Sequence, residues 1–168
     1  SDPGEMQVPV NVTIPAGQAS VQVTLPAVRD FVIDGTKTVS ISATATGFET
    51  AAAQVDITDI DTAQVSLRAV SHGSEANLTD GKFEVRISGT AEFDIDVPYT
   101  WNGTAQSGID YTALSGTVKI LAGSSTTMIP VIVLNDDFAE YTETLRLTLG
   151  TPTVAGLTVN PAAKSAQI

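Results

Sequence analysis

The chain contains no cysteine, so it has neither disulfides nor thiolate metal ligands, and its redox compartment is left open. It has one histidine, His72, in a polar loop beside Gly73 and Ser74, where it is expected to be solvent-exposed. No GxSxG elbow and no HExxH pair occurs, so nucleophilic and zinc-dependent catalysis lack their carriers, and no enzyme is expected. Basic residues are few: eight Lys and Arg stand against nineteen Asp and Glu, a net charge of −11. Residues 1–61 hold eight acids and two bases (−6) and residues 62–168 eleven acids and six bases (−5), so both parts repel polyanions. Nucleic-acid binding would lose its main electrostatic contribution, and no basic stripe restores it. No apolar run reaches membrane-spanning length, so no membrane insertion of this segment is expected. No signal peptide is visible either, which fits an internal fragment of a larger exported protein as well as a cytosolic one. Aromatics make up only 5%, so Val, Ile, Leu and Ala must fill the core. The single tryptophan, Trp101, is expected inside it, which leaves no evident sugar-stacking cleft.

What is present is apolar alternation in a Thr- and Val-rich chain with regular turn residues, the pattern of an all-β protein. Strands are expected near 64–70, 82–88, 94–101, 115–121, 126–134, 143–149 and 164–168. In the third, Ile95, Val97, Tyr99 and Trp101 share one face while Asp94, Asp96 and Thr100 take the other, as in a half-buried antiparallel strand. Pro98 and Pro130 interrupt strand patterns and predict edges or bulges. The architecture this describes is an antiparallel sandwich.

Part of the pattern occurs twice. Residues 12–43 align without a gap on 118–149, an offset of 106, with seven identities in 32 positions. The apolar phase agrees as well: Val23, Leu25 and Ala27 fall on Ile129, Val131 and Val133, and Val39, Ile41 and Ala43 on Leu145, Leu147 and Leu149. Both copies would therefore bury the same face. Two repeat units follow, at 1–61 and 62–168. The first supplies about four strands, near 8–14, 19–28, 37–43 and 53–58, matching the last four of the second. Three strands are missing, which would leave half an apolar interior exposed. Three explanations stand open: residues upstream were removed, a neighbouring chain donates the strands, or residues 1–11 fold back.

The segment Gly103-Thr-Ala105, Gly108-Ile-Asp110-Tyr111, Gly116-Thr-Val118, Ala122-Gly123, Asp136-Asp137, Glu140 and Glu143-Thr144 resembles the Calx-beta repeat. The resemblance covers 62–168, and 8–61 as a C-terminal half-repeat. It implies an immunoglobulin-like antiparallel β-sandwich with calcium held by loops at one end, near the junction with the next domain. Its calcium carboxylates fall here on Glu75, Asp110, Asp136, Asp137 and Glu140, with Glu143 a further candidate. In the first copy they fall on Asp30 and Asp34 and on the acidic exit Asp56, Asp59 and Asp61. There Phe31 stands in place of Asp137 and Lys37 in place of Glu143, removing acids and adding an opposing charge. Calcium takes six to eight oxygens at about 2.3–2.6 Å, and carboxylates gathered for it repel one another in its absence. The competing explanation is local, since Asp at strand ends commonly closes Asx turns. Asp110 could cap its own turn while Tyr111 packs at a sandwich corner.

The expected function is that of a calcium-binding structural or adhesive repeat module of a large extracellular or cell-surface protein. Calcium would stiffen domain ends and the junctions between tandem repeats. Its partners would be neighbouring repeats, and other copies by strand complementation. A calcium-sensing regulatory domain of a transporter-type protein is the alternative, followed by a carbohydrate-binding or enzyme-appended module.

Overall fold

The computed structural model describes residues 4–135 and 140–168. They divide into two units, 1–61 and 62–168. Among the described residues no helix is long and apolar enough to cross a membrane.

Residues 62–168 form an immunoglobulin-like sandwich of two four-stranded sheets. With β1 and β2 kept for the first unit, its strands are β3 (Ala63–Ser71), β4 (Gly81–Ile87), β5 (Ile95–Gly103) and β6 (Thr117–Ile120). They continue as β7 (Thr126–Val131), β8 (Leu145–Leu149), β9 (Leu157–Val159) and β10 (Ser165–Gln167). One sheet runs β9-β3-β4-β7 and the other β10-β8-β5-β6. Alternation dictates the packing: Val65, Leu67, Phe83, Val85 and Ile87 point inward from the first, and Ile95, Val97, Leu145, Leu147 and Leu149 from the second. All ten are at most 4% exposed, and the aromatics buried with them are Phe83, Tyr99 and Tyr111, so the core is mainly aliphatic.

Three details depart from the pattern expected. A short strand, β9, was not foreseen and pairs in parallel with β3, Leu157 opposite Ala63. Three residues carry too little alternation to announce a strand. Trp101 is 37% exposed rather than in the core: it keeps β8 as a neighbour, opposite Leu147, but lies beyond the end of β6, whose pairing with β5 stops at Pro98. Pro98 lies in an interior strand, where its ring faces the end of β8. Its carbonyl accepts from Gly150 N at 2.8 Å, just beyond Leu149, so the missing N–H falls where the neighbouring strand stops. Pro130 does sit on an edge strand, β7.

On the outer face of β3 and β4, Arg68 and Glu84 are cross-strand partners joined by two bonds, Nε to Oε1 at 2.8 Å and Nη2 to Oε2 at 2.9 Å. The guanidinium bonds hold the Glu84 pKa below its ordinary 4.5, against the opposing effect of burial and with smaller help from the Arg68 and Arg86 charges. A lowered folded pKa means stability that is present above the unfolded value and is lost as pH falls through the folded one. Glu84→Gln should therefore flatten the decline of melting temperature on acidification below about pH 4.5. Equal acid sensitivity in the two proteins would show that the pair contributes nothing.

In the first unit, β1 (Lys37–Ala43) and β2 (Ala51–Ile57) form an antiparallel hairpin, Lys37 opposite Ile57 and Ala43 opposite Ala51. Strands expected near 8–14 and 19–28 are not formed. Residues 5–7 do fold back: Val28 N donates to Glu5 O at 2.8 Å and Gln7 N to Pro26 O at 3.0 Å. That contact supplies no sheet, and the apolar positions of the segment stay open. Ile14 is 54% exposed and Val23 42%, whereas their counterparts in the second copy, Ile120 and Ile129, are 0% and 2%. A strand needs a paired neighbour and a covered face, and β3 to β5 provide both for the second copy.

Candidate metal centre

β3 ends, β4 begins, β5 and β7 end, and β8 begins at the same end of the second sandwich, because these neighbours run antiparallel. The connecting loops converge there around an open cleft of about 580 Å³, whose lining includes Glu75, Asp110, Glu140 and Glu143. His72, expected only as a solvent-exposed loop residue, also lines it.

Glu75, Asp110 and Glu143 are held by backbone bonds local to their loops. Glu75 sits in a closed turn in which Ser74 and Thr79 exchange N–H···O bonds of 2.8 Å, and Leu78 N donates to Glu75 O at 3.0 Å. Asp110 ends a tight turn in which Asp110 N donates to Gln106 O at 2.9 Å and Gly108 N to Tyr111 O at 2.7 Å. Gly108 has φ +86°, a conformation that glycine adopts without strain. Tyr111, only 3% exposed, anchors the turn by bridging to Val133. Glu143 is fixed by its neighbour: Thr144 O accepts from Thr104 N and Ala105 N at 3.0 and 3.1 Å, and Thr144 N donates to Thr104 Oγ1 at 2.9 Å.

The two explanations for Asp110 prove to divide its oxygens. Oδ2 accepts from Gln106 N at 2.5 Å and closes the turn, while Oδ1 is buried and accepts no hydrogen bond. Oε2 of Glu143 is likewise buried without a donor. The Glu143 pKa is raised above its ordinary 4.5, first because a protonated Glu143 can donate to Asp110. Burial comes next, followed by the negative charges of Asp110, Glu140 and Glu75. Buried acceptors facing other acceptors need a cation or a proton between them.

One oxygen each from Glu75, Asp110 and Glu140 lies within 4.8 Å of the others. Two ligands of one calcium ion can be no farther apart than twice its bond length, about 5 Å, so these three could share one. The donors are hard carboxylate oxygens, which suit calcium rather than a thiolate-seeking metal. The second unit therefore fits a divalent cation. Asp136 and Asp137, also expected here, lie outside the described residues.

The first unit gathers Glu5, Asp30 and Asp34 within the same 4.8 Å. Glu5 was not anticipated, since it enters through the 5–7 fold-back, which carries no motif. Asp59 and Asp61, expected as exit ligands, are not in this group. Asp59 accepts from the N–H groups of Asp34, Gly35 and Asp61 at 3.2, 3.3 and 2.6 Å. Burial would raise its pKa, but these three bonds outweigh it and the value is lowered. Asp61 is engaged by Arg29 Nε at 2.6 Å and Phe31 N at 3.0 Å. Asp30 Oδ1 accepts from Val32 N at 2.9 Å, and Asp34 Oδ2 meets Lys37 Nζ at 3.5 Å. This group thus already has the Val32 N–H on Asp30 and the Lys37 ammonium beside Asp34.

An immunoglobulin-like sandwich whose end loops converge on an acid-lined cleft defines a β-module with an acidic tip. The Calx-beta domain model matches residues 56–168, and the chain belongs to that family. Among solved structures, the apo-form Calx CBD1 domain is similar at 18% identity and a TM-score of 0.51, with 64% of this chain and 96% of that one covered. CBD12 from CALX1.2 is 19% identical with a TM-score of 0.49, covering 62% of this chain and 44% of that one. Calcium binding domain CBD12 of CALX1.1 is 20% identical with a TM-score of 0.48, covering 61% and 43%. The chain thus spans under half the length of the last two. No curated protein sequence matches it.

Proposed function

We propose that residues 62–168 are a calcium-binding structural module, and that the parent is a large extracellular or cell-surface protein built from tandem repeats. The observation that carries this is that Asp110 Oδ1 and Glu143 Oε2, buried acceptors without donors, belong to acids lining one cleft with Glu75 and Glu140. Calcium there would draw the 72–80, 104–111 and 140–144 loops together and stiffen the tip at which a neighbouring repeat would join. The role is binding and mechanical, with no chemistry performed. Neighbouring repeats are the partners, with other copies by strand complementation, adhesion is the use, and the role involves neither nucleic acid nor membrane insertion of this segment. Isothermal titration with Ca²⁺ tests the role: an extracellular structural site is expected to bind at about 0.1–1 mM. Sub-micromolar affinity would overturn it in favour of an intracellular sensor, and no binding would overturn both.

A further inference from the structure

In the repeat alignment, Asp34 falls on Glu140 and Lys37 on Glu143. Where the second unit turns Glu143 toward Asp110, the first turns an ammonium toward Asp34. The Asp34 side chain is only 5% exposed, and its Oδ2, which accepts no hydrogen bond, has Lys37 Nζ at 3.5 Å. Lys37 keeps 31% exposure and its stem sits at the first position of β1, so the positive charge is tethered to the sheet that frames the acidic group. Arg29 supplies a second built-in cation, on Asp61 and 4.8 Å from the centre of the Phe31 ring.

We infer that Lys37 takes the place of the metal in the first unit, making that unit's acidic tip independent of calcium while the second unit's tip depends on it. The inference deepens the proposed function by making the two copies unequal: one acidic tip is permanently neutralised, the other follows the ion. A divalent cation entering among Glu5, Asp30 and Asp34 would have to displace the ammonium or lie beside it, and like charges at that spacing exclude each other. Reversing one charge removes the obstacle and adds a ligand.

The test uses the full chain with the second site disabled by Asp110→Asn and Glu140→Gln, titrated calorimetrically with Ca²⁺. This background is expected to show no binding at about 1 mM, and adding Lys37→Glu should create one site at least about ten-fold tighter. Lys37→Gln, which removes charge without adding a ligand, should lower the metal-free melting temperature, and Lys37→Arg should preserve it. Lys37→Gln decides the matter if the Glu variant does not fold. Calcium binding by the background as tight as in the Lys37→Glu variant would overturn the inference, as would an unchanged metal-free melting temperature in Lys37→Gln. Absence of binding by the wild type would defeat the proposed calcium role of the second unit alone. The Lys37 comparisons would still stand.

Discussion

Adding calcium to the metal-free protein is expected to raise the melting temperature of the second unit by about 10 °C. A ligand at a hundred-fold excess over its Kd and bound only to the folded state stabilises by about 2.7 kcal/mol. For a domain of this size each kcal/mol moves the midpoint by about 4 °C. The Glu143–Asp110 repulsion that calcium would relieve also gives the sign of the pH dependence. Since the Glu143 pKa is raised, its contribution is fully present below the ordinary 4.5 and is lost as pH rises through the raised value. In EDTA this group should therefore lower the melting temperature across that window, and calcium should remove the decline. Asp110→Asn separates the two roles of the aspartate. It should raise the metal-free melting temperature, because a neutral amide no longer opposes Glu143, and should abolish most of the calcium shift. If Asp110 merely closed its turn, the variant would keep the full shift.

Gly103→Ala should destabilise the second unit by about 3 kcal/mol and weaken calcium binding with it. Gly103 has φ +154°, and a Cβ there would overlap the carbonyl oxygen of Thr144 and lie 2.8 Å from its carbonyl carbon. That carbonyl accepts from both Thr104 and Ala105, so relieving the clash means breaking the bonds that hold residue 144 beside Glu143. Backbone cannot yield as the tip of a flexible side chain does. Gly108→Ala is the comparison: its φ is +86° but nothing lies within 4 Å, so only conformational strain of about 1 kcal/mol is expected. Thermal unfolding with and without calcium checks both. A Gly103→Ala protein that melts with the wild type would show that the close approach at Thr144 holds nothing.

The second unit was largely legible because alternation and burial coincide along β3, β4, β5 and β8, so Ile95, Val97, Leu145 and Leu147 fell on the face their phase assigned. β9 was not legible, since three residues paired in parallel to β3 leave no local signature. In the first unit the same phase misled. Val12, Ile14 and Val23 alternate as strand residues do, yet their alternation has force only when other strands cover it, and the fold withholds them. The acids divided similarly. Asp110 carried its position in its turn, whereas Glu5 reaches Asp30 and Asp34 through backbone pairing of 5–7 with 26–28, which no residue pattern advertises. Asp59 and Asp61 had the right composition but spend it on N–H groups and Arg29, a choice visible only once the turn at 34–35 is closed.

The most direct measurement is an anomalous difference map from a crystal grown in calcium. A peak within about 2.3–2.6 Å of oxygens of Glu75, Asp110 and Glu140, with Lys37 still on Asp34 and no peak in the first unit, is the expected result. Carboxylates of the second cleft spread apart and contacted only by water would contradict the account.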